Sequence, residues 1–478
     1  MIKMKRKIIY VGLTCLSFLF TACKTPLLPV KNVNKSVPVS FNNSQDSTNS
    51  ANIKWKDYFN DRYLAALIDT ALSNNQELNI LLQEIEISKN EVMARKGEYM
   101  PFVNIRDGGG LDKVGRYTSK GSSEATTEIK PGKETPDPLP EFGARAYASW
   151  EVDIWHKLRN AKKAAMTRYL ASIEGKNFMV TNLIAEIANS YYELLALDNQ
   201  LSIVRQNIEI QSNALRIVKL EKESTRVTEL AVKKFEAEVL STKSLEFAIK
   251  QEIIEAESRI NFLVGRYPQP ILRNSDGFNS LVTDDIHAGI PSELLQNRPD
   301  IKQAELELAA ARLDIAVAKA NFYPSLGISA SLGLQAFNPI YLAKLPESLL
   351  TSLAADMVGP LVNKNAIRAT YFNANASQIQ AIYNYERTLL QSYIEVANLL
   401  SKVGNLKRSY ELKEQEVQAL TESITISNKL FRSARADYME VLLTQRDALE
   451  SRFELVETKR EQMNAVVNIY QALGGGWN

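Results

Sequence analysis

Cysteine is almost missing from this chain of 478 residues, which has two, Cys15 and Cys23. Both lie within its first 23 positions, so no disulfide framework and no cysteine metal site can form in the remainder. Histidine is as scarce, with only His156 and His287. There is no glycine-rich phosphate loop, no nucleophile elbow and no paired metal-ligand spacing. The nine methionines are scattered, as core residues would be. Enzymatic chemistry is therefore not expected, nor is a cofactor or a bound metal. Charge of either sign is in balance, 57 basic against 55 acidic residues, which leaves no basic stripe for nucleic acid. Apart from Ile8 to Phe20, no run approaches the roughly 20 apolar residues of a transmembrane helix.

Proline and glycine are missing where it matters most. Between Trp155 and Leu263 there is no proline and one glycine, Gly175; between Asn363 and Leu473 there is again no proline and one glycine, Gly404. Apolar residues recur there at near-heptad spacing, as in Phe235, Val239, Thr242, Glu246, Ile249, Ile253, Ala256, Ile260 and Leu263. Leu442, Leu449, Val456, Met463 and Tyr470 recur every seven. That spacing makes coiled-coil seams. Each stretch is expected to fold back once, at Ser224-Thr225-Arg226-Val227-Thr228 and at Ser433-Ala434-Arg435-Ala436-Asp437. Thr228 and Asp437 are N-cap residue types, and Asp437 with Glu440 has capping-box spacing. The longer helix of each hairpin, roughly 65 residues, would reach about 100 Å.

The two stretches are related. A shift of 223 carries Asn75 onto Arg298, Lys96 onto Lys319, Pro101 onto Pro324 and Ile105 onto Ile328. A shift of 209 carries Glu186-Ile187-Ala188-Asn189 onto Glu395-Val396-Ala397-Asn398, Ser224 and Arg226 onto Ser433 and Arg435, and Gly265 onto Gly474. The chain is therefore a duplication of units of about two hundred residues, too long for solenoid modules.

Each unit also holds two alternating segments. From Pro324, Leu326, Ile328, Ala330, Leu332 and Leu334 alternate with Ser325, Gly327, Ser329, Ser331 and Gly333; from Phe142, Ala144, Ala146, Ala148 and Trp150 alternate with Gly143, Arg145, Tyr147 and Ser149. Weaker partners lie near Val103–Ile105 and Leu353–Met357. About ten alternating residues is the length of a membrane β-strand, although a half-buried soluble sheet alternates likewise. Four strands cannot close a membrane barrel, so the chain is expected to share one with copies of itself.

The N-terminus supplies an address. Lys3, Lys5, Arg6 and Lys7 precede the apolar run, which ends Leu19-Phe20-Thr21-Ala22-Cys23. This reads as a signal peptide over residues 1–22, with Cys23 in the position of a lipobox cysteine and lipid attached to it. Residues 23–54 then form a tether. Repeat 1 spans 55–265, with strands near 101–112 and 142–152 and a helical hairpin over 155–263. A linker covers 266–290. Repeat 2 spans 291–476, with strands near 324–335 and 351–362 and a hairpin over 363–473.

Trp150-Glu151-Val152-Asp153-Ile154-Trp155, Arg298-Pro299-Asp300-Ile301, Tyr323-Pro324-Ser325 and the ending Ala472-Leu473-Gly474-Gly475-Gly476-Trp477 together resemble the outer-membrane efflux factors. These are the TolC-like trimeric channels, here in the lipoprotein branch serving resistance–nodulation–division pumps. The resemblance implies a mostly α fold with a transmembrane β-barrel: a homotrimer with a twelve-strand barrel and a periplasmic α-helical tunnel. It implies a passive outer-membrane channel for small molecules, partnered by a periplasmic adaptor and an inner-membrane pump and seated in outer-membrane lipid. A protein-secretion exit duct and a pore-less coiled-coil lipoprotein are the alternatives. His156, Asn365, Thr225 and Ala434 stand where such channels usually carry glycine. Glu151 and Asp153 are expected at the barrel rim and as caps. Arg226, Thr228, Glu229, Arg435, Asp437 and Glu440, crowded at the two helical turns, are the candidate gate and adaptor-contact tip.

Overall fold

A computed structural model describes residues 25–41, 48–281, 287–360, 362–433 and 435–477. The signal segment, Cys23 and Ala434 lie outside the described residues. In chain order the principal elements are α1 (Arg62–Asn74), α2 (Gln76–Glu98), β1 (Phe102–Asp112), β2 (Leu139–Val152), α3 (Lys157–Glu223) and α4 (Glu229–Leu263). The second series is α5 (Pro299–Ala320), β3 (Ser325–Ala336), β4 (Leu349–Val358), α6 (Asn365–Arg432) and α7 (Tyr438–Ala472). The order helix, strand, strand, long helix, shorter helix thus occurs twice. Freed of proline, α3 and α6 run unbroken for 67 and 68 residues, and α4 and α7 for 35 each.

The chain forms two compact units. One gathers residues 25–32, Glu86–Leu170 and Leu306–Tyr383, and contains the sheet. Its strands are all antiparallel in the order β1-β2-β3-β4. The register lines up Ile105, Ala146, Leu332 and Thr351 across the sheet, and beside them Arg106, Arg145, Gly333 and Leu350. One face is therefore largely apolar (Val103, Ile105, Ala148, Leu332, Leu353), interrupted at Asp107. The other carries Arg106, Arg145 and a Ser331–Ser352 hydroxyl pair at 2.7 Å. The outer edges of β1 and β4 have no strand partner among the described residues.

Strand ends differ from the alternation. β2 starts at Leu139, before Phe142, because pairing of Asp112 with Leu139 prolongs the ladder. β4 covers Leu349–Val358, not 351–362: Pro360 has no N–H to donate. The connection out of β2, residues 153–156, is tight. Asp153 accepts the N–H groups of Leu158 and Arg159 at 3.0 Å each, which caps α3, and His156 takes φ +61°. Burial by itself would raise the Asp153 carboxyl, but these hydrogen bonds and Arg159 hold it below its ordinary range. Glu151 pairs with Lys157 at 2.5 Å. In the second repeat the connection is longer, residues 359–364, and Asn365, equivalent to His156 by the shift of 209, does not carry the bend. Asn365 is the first residue of α6, and Asn363 carries the left-handed backbone at φ +55°. The early end of β4 moves the bend away from the helix start.

The other unit gathers residues 33–41 and 48–85, Ala171–Glu305 and 384–477. Its main core is built where α1 (Leu64, Ile68) meets α3 (Ile184, Ile187, Tyr191), α4 (Ile249, Ile260) and α7 (Val456, Met463, Tyr470). Of the heptad positions in α4, Phe235, Val239, Ile249, Ala256, Ile260 and Leu263 are buried. Glu246 instead forms ion pairs with Arg205 and Lys250. His287 lies in the linker, where its backbone exchanges hydrogen bonds with Ser50.

Candidate functional site

The two helical turns share one closing backbone hydrogen bond. At the end of α3, Thr225 adopts φ +59°, the Thr225 N–H donates to Lys222 O and the Arg226 N–H to Glu221 O, each at 2.9 Å. This is a Schellman closure with threonine where glycine is favoured. The Arg435 N–H donates to Leu430 O at 2.9 Å, the same bond displaced by 209. Thr228 caps α4 by accepting from the Ala231 N–H at 3.4 Å. Asp437 accepts from the Tyr438 N–H at 2.6 Å. The capping box expected of Asp437 and Glu440 is therefore not the bond made. The carboxylate bends to the nearest amide, and Glu440 donates only its backbone N–H to Asp437 O at 3.2 Å.

Beneath the turns Val218, Ala231, Val232, Phe235, Val441 and Leu442 form one apolar cluster, flanked by Val227, Phe431 and Tyr438. It ties the turn of hairpin 1 to that of hairpin 2. Arg226, Thr228, Glu229, Arg435, Asp437 and Glu440 are thereby collected at one end of the unit, and all six are exposed. Glu229 pairs with Lys222, which holds its carboxyl below the usual carboxylate range. Among the described residues Arg226 and Arg435 have no ion-pair partner within the protomer.

Away from the turns, the seam between α3 and α7 is polar. Asn189 donates to Asn468 at 2.8 Å, and Gln471 to Asn182 at 2.7 Å. Antiparallel helices in steady register have partner numbers with a near-constant total. That total is 657 for Asn189 with Asn468 and 653 for Asn182 with Gln471. The same register sets Asn207 opposite Ser451 and Gln211 opposite Gln445. These four are buried, and the Asn207 Nδ2, Ser451 Oγ and both amide atoms of each glutamine have no hydrogen-bond partner. A buried polar group without a partner costs about 1–3 kcal/mol, and replacing facing partners by apolar groups is neutral or stabilising. Gln211→Leu combined with Gln445→Leu should therefore leave the unfolding midpoint unchanged or raise it by a few degrees in a thermal melt. A clear fall would mean that these amides are well paired in solution. The sequence offered a signal for this seam, amides at heptad positions, which heptad reading by apolar residues passes over.

A family model described as outer membrane efflux protein matches residues 67–266 and 290–475, one block per repeat. The chain is 28% identical over 424 residues to the pyoverdine export outer membrane protein OpmQ of Pseudomonas aeruginosa, covering 89% of this chain and 87% of that one. It is 23% identical over 450 residues to the probable outer membrane lipoprotein SilC of Salmonella typhimurium, covering 92% and 93%. The crystal structure of the open state of the Neisseria gonorrhoeae MtrE outer membrane channel superposes with a TM-score of 0.81, at 21% identity, covering 95% of this chain and 99% of that one.

Proposed function

This chain belongs to the outer membrane efflux protein family, and on that premise we propose that three copies form the exit duct of a tripartite efflux system. The protein is an outer-membrane efflux channel. In this reading a pump of the resistance–nodulation–division type loads small molecules, a periplasmic adaptor couples pump to duct, and the duct conducts passively. The observation that carries it is the four-stranded sheet with one largely apolar face and two edges that have no strand partner among the described residues. Unpaired backbone groups cost several kcal/mol each in hydrocarbon, so the edges need strands from other copies. A pore-less coiled-coil lipoprotein would have no use for such a sheet. Family members are channel proteins, and we assign no catalytic residue.

The lipid belongs on Cys23, a reading supported by the lipobox-like Leu19-Phe20-Thr21-Ala22-Cys23 and by the likeness to a probable lipoprotein. Mass spectrometry of the mature N-terminus tests it, and an unmodified Cys23 overturns it.

The gate is assigned to the turn cluster. Among the described residues Arg226 and Arg435 carry charges with no ion-pair partner in the protomer, and Asp437 and Glu440 lie on the same exposed end. Around a three-fold axis they would pair between copies, each solvated pair worth about 0.2–1 kcal/mol, weak enough for an adaptor to break. MtrE has been captured in an open state, which supports a duct that can change width. Arg435→Ala and Asp437→Ala, separately and together, should raise the conductance of the purified oligomer in planar bilayers. Wild-type conductance in all three variants would remove these residues from the gate.

A further inference from the structure

The strand register sets two arginines face to face at mid-height of the sheet. Arg106 of β1 lies directly opposite Arg145 of β2, and the next residue in that row, on β3, is Gly333. Like charges directly opposite each other destabilise a strand pair, so this juxtaposition weakens the fold and gains nothing within the protomer. Alternation sends Asp107, the next residue in sequence, to the other face. Among the described residues neither arginine has an ion-pair partner. Arg106 is exposed and Arg145 half-buried.

The surface beside them is clear of side chains. The neighbouring pair on the same face is Gly108 with Gly143, and nothing lies within 4 Å of the missing Cβ of Gly108. At Gly333 a Cβ would stand 2.3 Å from Ala144 O and 2.4 Å from Arg145 Cβ, so that position admits no side chain next to Arg145. On the other flank the row Asn104, Tyr147, Ser331 and Ser352 supplies neutral hydrogen-bonding groups. The acids on this face are engaged or remote. Asp112 pairs with Lys120 at 2.8 Å, Glu151 with Lys157 at 2.5 Å, and Glu141 accepts from the Gln335 amide. Asp356 belongs to the row of Glu151, six residues along β2 from Arg145. That is about 20 Å away, beyond the ~8 Å Debye length of physiological salt.

We propose that Arg106 and Arg145 form a collar that binds polyvalent oxyanions in transit, cargo bearing phosphate, sulfate or several carboxylate groups. The arginine face is the one that lines the lumen, since a cation at mid-height facing lipid is destabilising whereas a lumenal one tunes selectivity. Three copies, each giving two arginines, bring six guanidinium groups to one level of the duct. A planar guanidinium donates two parallel hydrogen bonds to a carboxylate or phosphate, and an oxyanion held between facing arginines offsets their repulsion. A ring of one sign also concentrates counter-ions, so anionic cargo is enriched at the collar and cations are held off. The inference rests on the multi-copy duct proposed above and names its cargo class.

Block by inorganic tripolyphosphate tests it, with the full-length protein in planar bilayers and the probe in both chambers. Wild-type conductance should fall as the probe is added. Arg106→Gln with Arg145→Gln should raise the concentration needed for half block by about tenfold or more, and Arg106→Gln alone by a smaller factor. Lys344→Gln, in the connection between β3 and β4, should leave it unchanged. Should the double variant fail to assemble, Arg106→Gln, at the exposed member of the pair, carries the test by itself. A conducting wild type that the probe does not block overturns the collar while leaving the duct intact. So do arginine variants blocked like wild type, or Lys344→Gln weakening the block as much as they do. Protein that is monomeric by light scattering and does not conduct overturns both.

Discussion

Gly474→Ala should cost the protein about 2–5 kcal/mol of stability, seen as a large fall in the unfolding midpoint of the purified oligomer. Gly474 holds φ +91°, which for an L-residue costs about 1–2 kcal/mol. A methyl group there would also lie 2.5 Å from Asn297 O and 2.6 Å from Asn297 C. Both are backbone atoms, so one chain has to move. Gly265 repeats the arrangement, with φ +76° and a Cβ 2.4 Å from Asn74 O. Asn74 and Asn297 differ by 223, and Gly265 and Gly474 by 209. Two sequence shifts found independently thus meet at one tertiary contact, where the end of the second hairpin helix crosses the start of its repeat. Gly404 is the control. It sits inside α6 with nothing near its missing Cβ, so Gly404→Ala should be neutral or gain up to about 1 kcal/mol. Equal effects at 404 and 474 would refute the close-approach account.

Arg298→Met should be comparably damaging. Arg298 is buried and grips Asp300 with two nitrogens, at 2.8 and 3.0 Å. It also donates to Glu395 at 2.7 Å and to Ala472 O, the last carbonyl of α7, at 2.8 Å. Removing one partner of a buried pair costs about 3–5 kcal/mol, because the other charge stays behind. Asp300 accounts for most of this, since Glu395 is about half exposed. Arg298→Lys should recover little, for an ammonium cannot make the planar double contact. Arg298→Met with Asp300→Asn should recover a substantial part, measured again as the unfolding midpoint. If the single and double variants melt together, the stranded-charge explanation is wrong. The first repeat solves the same problem without charge: Asn75, equivalent to Arg298, donates to Leu263 O at 2.8 Å, and Leu263 is equivalent to Ala472.

Whatever depends on local backbone rules could be read from the order of residues alone. Two proline-free stretches become α3–α4 and α6–α7 because nothing interrupts their i to i−4 bonds. Alternation over Ala144–Trp150 and Leu326–Leu334 becomes strands with one apolar face because side chains in a strand point to opposite sides. The duplication, and the family through its motifs, were legible for the same reason. The tertiary structure decided what depends on a distant partner. It put the left-handed bend on Asn363 and not Asn365, since the end of β4 sets that connection. It gave the Asp437 carboxylate to Tyr438, paired Glu229 with Lys222, and joined the two turns over Phe235 and Leu442. It placed Gln211 and Gln445 inside a helix seam, where no periodicity of apolar residues points. And it made Arg298, one letter in a motif, the buried cation that closes α7, because the carbonyl it satisfies belongs to Ala472, 174 residues away.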